Sequence, residues 1–523
     1  MHVKPKYGKI GLLSATFIGI SSMIGSGWLF APYVAAKIAG GGSLVAWVIG
    51  AAIVFLLGMV FSEIAGLYPR RGLSAIVPTL SHNMFYGFPF ALANWLGIVA
   101  VIALEASASI EYLIEIFPQY DKIFFLNEAL TIYGQMIAVV LILFYSILNF
   151  WGASLLTKAN NVIVVFKLVV PLMTAILVIY SAYTPSNFVA HGGFFANGVD
   201  SVLTAVLAAG IVVAFNGFQT IISFSSEIEN PHRNIPLSIG ISIAFSLIIY
   251  MLLQTSFIGA LPADMLKNGW QHLDFTAPMV QLTALVGLNF MTLILYSDAI
   301  VSPTGTAITF VGASTRMFTA MARNRQMPKF FDHVDPVIRV SRRSLILNVG
   351  LAILFLLVFK SWTELAQILG LLHIISYLSA PVALVVFRRE IREEMYFFKM
   401  TFGRTISLFL FIFFSYLFTM ATFKVALDMI IILGVFQLVF IVVSSSSLKD
   451  YKNGFIKSSL IYAYLASLIG LTYISPNNQN MLSQLEFTLL AATISAVAFF
   501  ALSRLHINKN IHSELHAISS VKH

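Results

Sequence analysis

Residues 24–28 read Ile24-Gly25-Ser26-Gly27-Trp28, and residues 214–218 read Ala214-Phe215-Asn216-Gly217-Phe218. Each stretch interrupts a long apolar run, one near 10–38 and the other near 199–227. Glycine costs a helix interior about 1 kcal/mol relative to alanine, so both runs are expected to break there. Either break alone reads as a packing glycine, which membrane helices often carry. The pair reads differently, because Ser26 and Gly217 lie 191 residues apart and a second pair has nearly the same offset. Glu105 and Asp298, charges deep in their own apolar runs, lie 193 apart. Two structural halves are expected. Backbone groups freed at the breaks cannot face lipid, so they must line a cavity or contact a ligand.

The surrounding composition excludes a water-soluble globule. Hydrophobic residues make up 59% and charged residues 10%, where a soluble domain has about 25% charged. Mean hydropathy is +0.89. Fourteen apolar runs reach roughly the 18–20 residues that a helix needs to span the hydrocarbon. They lie near 10–38, 43–67, 84–117, 130–151, 158–182, 199–227, 235–261, 277–318, 343–360, 363–388, 403–422, 424–446, 455–475 and 484–504, and are numbered helices 1–14. They lack the alternation of barrel strands. The predicted fold is all-α, with fourteen transmembrane helices. Helices 1–5 (10–182) and 6–10 (199–388) form a 5+5 inverted-repeat core, since an odd number of spans inverts the second half. Helices 11–14 (403–504) have no counterpart and read as a peripheral or oligomerisation layer.

Net charge is +9, but the basic residues are sorted by loop, so a membrane and not nucleic acid is implied. With the N-terminus inside, Lys4, Lys6, Lys9, Arg70, Arg71, Lys158, Arg233, the stretch Arg316–Arg343, Arg388, Arg389, Arg392 and the tail fall inside. Outer loops hold Lys37, Lys122, Lys267, Lys360 and Lys424. This asymmetry favours both termini in the cytoplasm, and the expected location is the cell (inner) membrane, as a multi-pass protein. There are no cysteines, so disulfides and thiol chemistry are excluded. No phosphate loop or nucleotide fingerprint is visible, which argues against an ATP-driven pump.

The second half of helix 1 begins with the N–H groups of Ser26 and Gly27, an anion-attracting end suited to an α-carboxylate. Carbonyls around Met23 end the first half and attract an α-ammonium. Freed carbonyls near Val213, Ala214 and Asn216 complete that amine site, with Gly25 and Phe215 beside them. A zwitterion therefore fits without any charged side chain. Lys167 lies well inside helix 5, where an ammonium costs at least about 2.5–3.5 kcal/mol. Low dielectric works against the charged amine, which makes proton exchange feasible; the plainer alternative is a lysine snorkelling to the interface. Glu105 and Asp298 are each a proton relay, a substrate contact, a partner for Lys167 or a hydrogen-bonded structural link. Glu111 lies nearer the outer end of helix 3, an expected solvated position. Glu63 and Glu227 lie near cytoplasmic helix ends, as gating ion pairs or caps. His373 reads as a packed, hydrogen-bonded histidine. No cluster has metal-ligand spacing, so no metal and no cofactor beyond a coupling proton is expected.

These residues resemble the amino acid–polyamine–organocation superfamily over residues 10–390. The strongest pieces are Ile24-Gly25-Ser26-Gly27, Ser62-Glu63-Ile64-Ala65-Gly66-Leu67-Tyr68-Pro69-Arg70, Glu227–Pro236, and Thr315-Arg316-Met317 through Met327-Pro328. The resemblance implies that superfamily's inverted-repeat, LeuT-like fold, with alternating access to a central site. In proton-coupled members a lysine on helix 5 stands where others bind sodium. Lys167 looks like that lysine, with Thr304 and Gly305 of helix 8 on the facing wall. Many members carry an aromatic gate where this chain has Val213, and Phe215 is the nearest aromatic. Asp298 and Ser302-Pro303-Thr304-Gly305 look like a bacterial branch that includes aspartate–proton symporters.

The leading expectation is therefore a proton-coupled amino acid symporter whose partners are a small amino acid, the proton and the bilayer. An amino acid or polyamine exchanger is the alternative, with Glu105 and Asp298 binding a substrate ammonium. A channel or sensor is a third class. A membrane enzyme lacks any nucleophile–base or metal arrangement in the sequence.

Overall fold

The computed structural model describes residues 10–70, 72–126, 129–150, 153–190, 192–335, 340–396, 398–444, 448–476 and 482–505. The first run is two helices, Leu12–Met23 (helix 1a) and Gly27–Ala39 (helix 1b). Ile24 between them is extended, with φ −89° and ψ 96°. The sixth run is broken twice. Asp200–Ala208 (helix 6a) ends before Gly210, whose φ of +70° suits a residue without Cβ. One turn follows, Ile211–Ala214, and then Phe218–Ser223 (helix 6b). The break at 214–218 falls where the glycine and asparagine predict it. The break at Gly210 is additional.

The other runs give helix 2 (Ser43–Leu67), helix 3 (Met84–Ile116), helix 4 (Ile132–Phe150), helix 5 (Ala153–Ser181) and helix 7 (Pro231–Ala260). Helix 8 is Asn289–Arg323, helix 9 Arg342–Val358, and helix 10 Trp362–Tyr377 continued by Ser379–Glu390. Helices 11–14 are Gly403–Thr419, Phe423–Ser444, Leu448–Ile474 and Gln484–Ser503. The described chain is all-helical apart from two paired two-residue strands, Phe125–Leu126 and Ala129–Leu130. Among the described residues, nine helical stretches are long and apolar enough to cross a membrane, and three shorter apolar helices accompany them. Lys4, Lys6, Lys9, Arg71 and both termini, on which the cytoplasmic placement leans, lie outside the described residues, as do 336–339 of the Arg316–Arg343 stretch.

Helix 3 is the axis of the molecule. Its most apolar window is wholly buried, and helices 4, 8, 9 and 10 pack on it. Helix 7 packs on helices 1a, 2 and 5. Helices 1 and 6 run between these groups, so their breaks face protein, as the freed backbone requires. Helix 12 packs on helix 3 through Phe440 stacked on Phe88 at 4.2 Å. Gln437 Nε2 there donates to the Phe85 carbonyl at 3.2 Å. The outer face of helix 12 exposes Ile431, Val435, Leu438, Val439 and Val442. An apolar surface of that kind belongs against acyl chains.

Candidate functional site

The breaks in helices 1 and 6 meet at close range. A Cβ on Gly217 would stand 2.5 Å from the Gly19 carbonyl oxygen and 2.8 Å from the Met23 nitrogen. Both are backbone atoms and cannot step aside. Overpacking of this kind costs about 1–3 kcal/mol, which is roughly ten- to a hundredfold in an equilibrium. Gly217→Ala is expected to cut the initial rate of labelled amino acid uptake by about that factor. Gly350→Ala on helix 9, where an added methyl meets nothing within 4 Å, is the matched control and should leave uptake unchanged.

Beside this junction lies a cavity of about 40 Å³, room for about three waters. Gly25, Gly27, Val213, Ala214 and Asn216 line it, with Glu105 from helix 3 and Trp362 from helix 10. It must widen to admit an amino acid. Two side chains already serve the groups freed at the breaks. The Ser26 N–H donates to Glu105 Oε2 at 3.0 Å. The Tyr250 hydroxyl of helix 7 lies 2.7 Å from the Met23 carbonyl and 3.3 Å from that of Ala214. An α-carboxylate can use the single Ser26 N–H only as Glu105 releases it, whereas an ammonium shares the carbonyls with Tyr250, whose one hydroxyl proton leaves acceptor lone pairs on both. The Ser26 N–H and the Met23 and Ala214 carbonyls are freed where the sequence places them but are partnered. The Val213 and Asn216 carbonyls are not freed: they accept from the Asn216 and Gln219 backbone N–H groups at 2.9 and 3.0 Å. The N-terminus of helix 1b keeps open space at Gly27, where an added Cβ meets nothing within 4 Å.

Lys167 is buried. Its Nζ donates to the Ser21 carbonyl of helix 1a at 3.3 Å and to the Thr306 hydroxyl of helix 8. Gly305 lets helix 8 come close to helix 5, since a Cβ there would stand 2.5 Å from Ile163 Cγ2, one turn before Lys167. Thr304 does not meet the amine. Two residues of helix turn the side chain by about 200°, and Thr304 sits beside the Tyr145 hydroxyl of helix 4. Lys167 does not snorkel to an interface.

Glu105 lines the cavity, whereas Asp298 is buried outside it. Neither oxygen of Asp298 is hydrogen-bonded among the described residues; the Trp28 indole, also unbonded, faces it. Phe215 likewise turns away from the cavity. Its ring meets Trp47 edge-on at 6.0 Å and Tyr250 at 5.4 Å. Val213 does line the cavity. Asn216 is held to helix 10: Nδ2 lies 2.7 Å from His373 Nε2, and Oδ1 accepts from the Tyr377 hydroxyl at 2.7 Å. His373 Nδ1 lies 2.9 Å from the Leu369 carbonyl, which assigns the proton to Nδ1 and the acceptor role to Nε2.

Glu111 is buried and not solvated. Its Oε1 accepts from the Ser107 hydroxyl and the Trp362 backbone N–H, each at 2.8 Å. Glu63 is paired in bidentate fashion with Arg388, with Nε–Oε1 and Nη2–Oε2 both 2.6 Å. Glu227 ends the short helix Ser225–Glu227, and its carbonyl accepts from Ile10 N at 3.2 Å. Among the described residues no group of three His or acidic side chains could hold a metal ion. Sequence reading missed Tyr250, Thr306 and Trp362, because a tyrosine, threonine or tryptophan inside an apolar run carries no signal of its own.

Two broken helices meeting beside a small buried cavity, in a chain rich in apolar helices, point to a membrane transporter rather than an enzyme, and the comparisons narrow the class. The profile of the family described as amino acid permease matches residues 10–441. A glutamate/serine transporter, AimA, from Bacillus subtilis (strain 168) is 36% identical over 384 residues, 73% of this chain and 71% of that one. An aspartate-proton symporter from the same organism is 31% identical over 386 residues, 73% and 74% of the two chains. Among solved structures, a manganese transporter of Eremococcus coleocola shares the fold, with TM-score 0.50 and 14% identity over 88% of this chain and 95% of that one. The chain belongs to the amino acid permease family of the amino acid–polyamine–organocation superfamily. It is an amino acid transporter and a multi-pass membrane protein.

Proposed function

We propose that this protein carries an amino acid across the cell (inner) membrane together with a proton, by alternating access, with both termini in the cytoplasm. The observation that supports this most directly is the Lys167 ammonium, placed between a freed carbonyl of helix 1a and the Thr306 hydroxyl of helix 8. An amine there holds helix 1a to helix 8 when charged and loses most of that attraction when neutral. The name of the aspartate-proton symporter relative supports the same coupling. No cofactor beyond the proton is needed. In this reading the chain crosses the membrane fourteen times. Residues 10–182 and 199–388 are the two inverted halves, and 403–504 are the peripheral helices that would join copies of the chain. The relatives' names span acidic and small hydroxylated amino acids, and the substrate falls in that range.

The test is uptake of a panel of radiolabelled amino acids into proteoliposomes, with and without an inward proton gradient. Gradient-dependent accumulation supports symport; uptake that depends only on internal amino acid would establish exchange instead. The carboxylate assignment to Ser26 and Gly27 makes a separate forecast. An amino acid amide lacks the anion that the start of helix 1b attracts. It is expected to compete for uptake about ten- to a hundredfold more weakly than the free acid, the worth of a hydrogen bond to a charged group. Equal competition by acid and amide rejects the assignment.

A further inference from the structure

The helix 10 segment Trp362–Tyr377 begins on Trp362 after the N-cap Ser361, and this first residue touches helices 1b, 3 and 6 at the site. Its backbone N–H is held by Glu111 of helix 3 at 2.8 Å, and Glu111 is itself held by Ser107. The start of the helix is therefore fixed to the rigid axis of the molecule. The indole extends from that anchor across the cavity. It lies flat on Phe30 of helix 1b, with ring centroids 4.8 Å apart and planes 14° apart, at the close end of the range for stacked rings. Its Nε1–H donates to the Ser26 hydroxyl at 3.2 Å. Its far edge closes on Gly210, where a Cβ would stand 3.7 Å from the ring. One ring thus spans the break of helix 1, the left-handed break of helix 6 and the anchored end of helix 10, with 2% of its surface exposed.

The geometry points to Trp362 as the gate that closes the cavity on its helix 1b side. With helix 1a taken as starting in the cytoplasm, that side is the outward one. This assignment rests on the transporter reading of the same cavity. The residues it joins are suited to a gate. Ser26 and Phe30 belong to the broken helix, which has little backbone hydrogen bonding to hold it across residues 24–26. Glu111 and helix 3 stay in place. Outward opening separates the indole from Ser26 and Phe30 while the Glu111 bond keeps Trp362 at the cavity mouth. Gly210 gives the ring a surface without a side chain to close against, and Val213 and Ala366 flank it inside the cavity.

The chain has no cysteine, so a single thiol can report access in an otherwise natural protein. Ala366, one turn beyond Trp362, is 1% exposed and lines the cavity. A366C is placed in right-side-out vesicles and treated with a membrane-impermeant methanethiosulfonate. The thiol is expected to react slowly behind Trp362 and about tenfold faster, or more, in W362A, the scale of a lost stacked contact and hydrogen bond together. W362F keeps a ring on Phe30 but loses the N–H, and S26A removes the acceptor while leaving Trp362 intact; both should fall between. These two variants also serve if W362A does not accumulate. Unchanged labelling in every variant that reaches the membrane overturns the proposal. A rise seen only when reagent is applied to inverted vesicles overturns the outward assignment. If labelling rises as expected while the unsubstituted protein shows no amino acid uptake, the transport reading fails and the gate stands.

Discussion

Lys167→Met is expected to abolish accumulation of substrate driven by an inward proton gradient while leaving substrate binding measurable. Met keeps the length and the apolar stem of the side chain. It removes the three N–H donors, and with them the bonds to the Ser21 carbonyl and Thr306 hydroxyl. A hydrogen bond to a charged group contributes about 1.5–3 kcal/mol. Losing it shifts the balance between core arrangements by roughly ten- to a hundredfold. A proton drives a conformational change only through its different affinity for the two arrangements. Without a titrating group at the junction of helices 1a and 8, that difference is gone, even if the core still moves. The readouts are uptake against a gradient and, separately, equilibrium binding of labelled substrate to purified protein. Met-variant protein that still concentrates substrate would remove Lys167 from the coupling role. Glu105 would then be the first replacement to test, because it lines the cavity and holds the Ser26 N–H. Asp298 would follow, since it lies outside the cavity.

What the sequence made legible follows from which physical signals are local. Long apolar runs announce helices wherever the bilayer demands them, and paired glycines announce breaks because a helix tolerates them poorly. The breaks at residues 24–28 and 214–218 are therefore read correctly from a few residues each. Gly210 escapes because it sits alone after two alanines, and only its positive φ distinguishes it from a packing glycine. Deep charges also announce themselves by their cost, so Lys167 and Glu105 are found without a structure. Their partners are not. Choosing Thr306 over Thr304 depends on how helix 8 is rotated against helix 5, a property of packing between residues 139 apart in sequence. The same holds for Tyr250, whose hydroxyl reaches a carbonyl 227 residues away, and for Trp362, 336 residues from Ser26. Asp298 shows the converse. Its depth is legible, but that it sits near Trp28 and Lys167 without lining the cavity is not.

Removing Arg388 is expected to be the most destabilising single change among the charged residues described here. Glu63 in helix 2 is fully buried and Arg388 in helix 10 is nearly so, 0% and 9% exposed. The guanidinium grips both carboxylate oxygens, and the second oxygen also accepts from Met400 N at 2.8 Å. Arg388 in turn donates to the Met400 carbonyl at 2.6 Å. It passes so close to Gly403 that an added Cβ would stand 2.5 Å from the guanidinium. One ion pair therefore ties helix 2 to helix 10 and to the segment that enters helix 11. Breaking such a pair from one side costs about 3–5 kcal/mol, because the remaining charge stays buried without a partner. Arg388→Ala should lower the thermal stability of the detergent-solubilised protein accordingly, followed by size-exclusion of heated samples. Arg388→Lys should recover little, since a point charge cannot reproduce the two-pronged contact. The double variant Glu63→Leu, Arg388→Met should be more stable than Arg388→Ala, because no charge is left stranded. The outcome also separates the two roles that the sequence leaves open for Glu63. A structural tie predicts that the double variant regains stability and transports. A gate predicts that it regains stability yet stays open to the cytoplasm and loses gradient-driven accumulation.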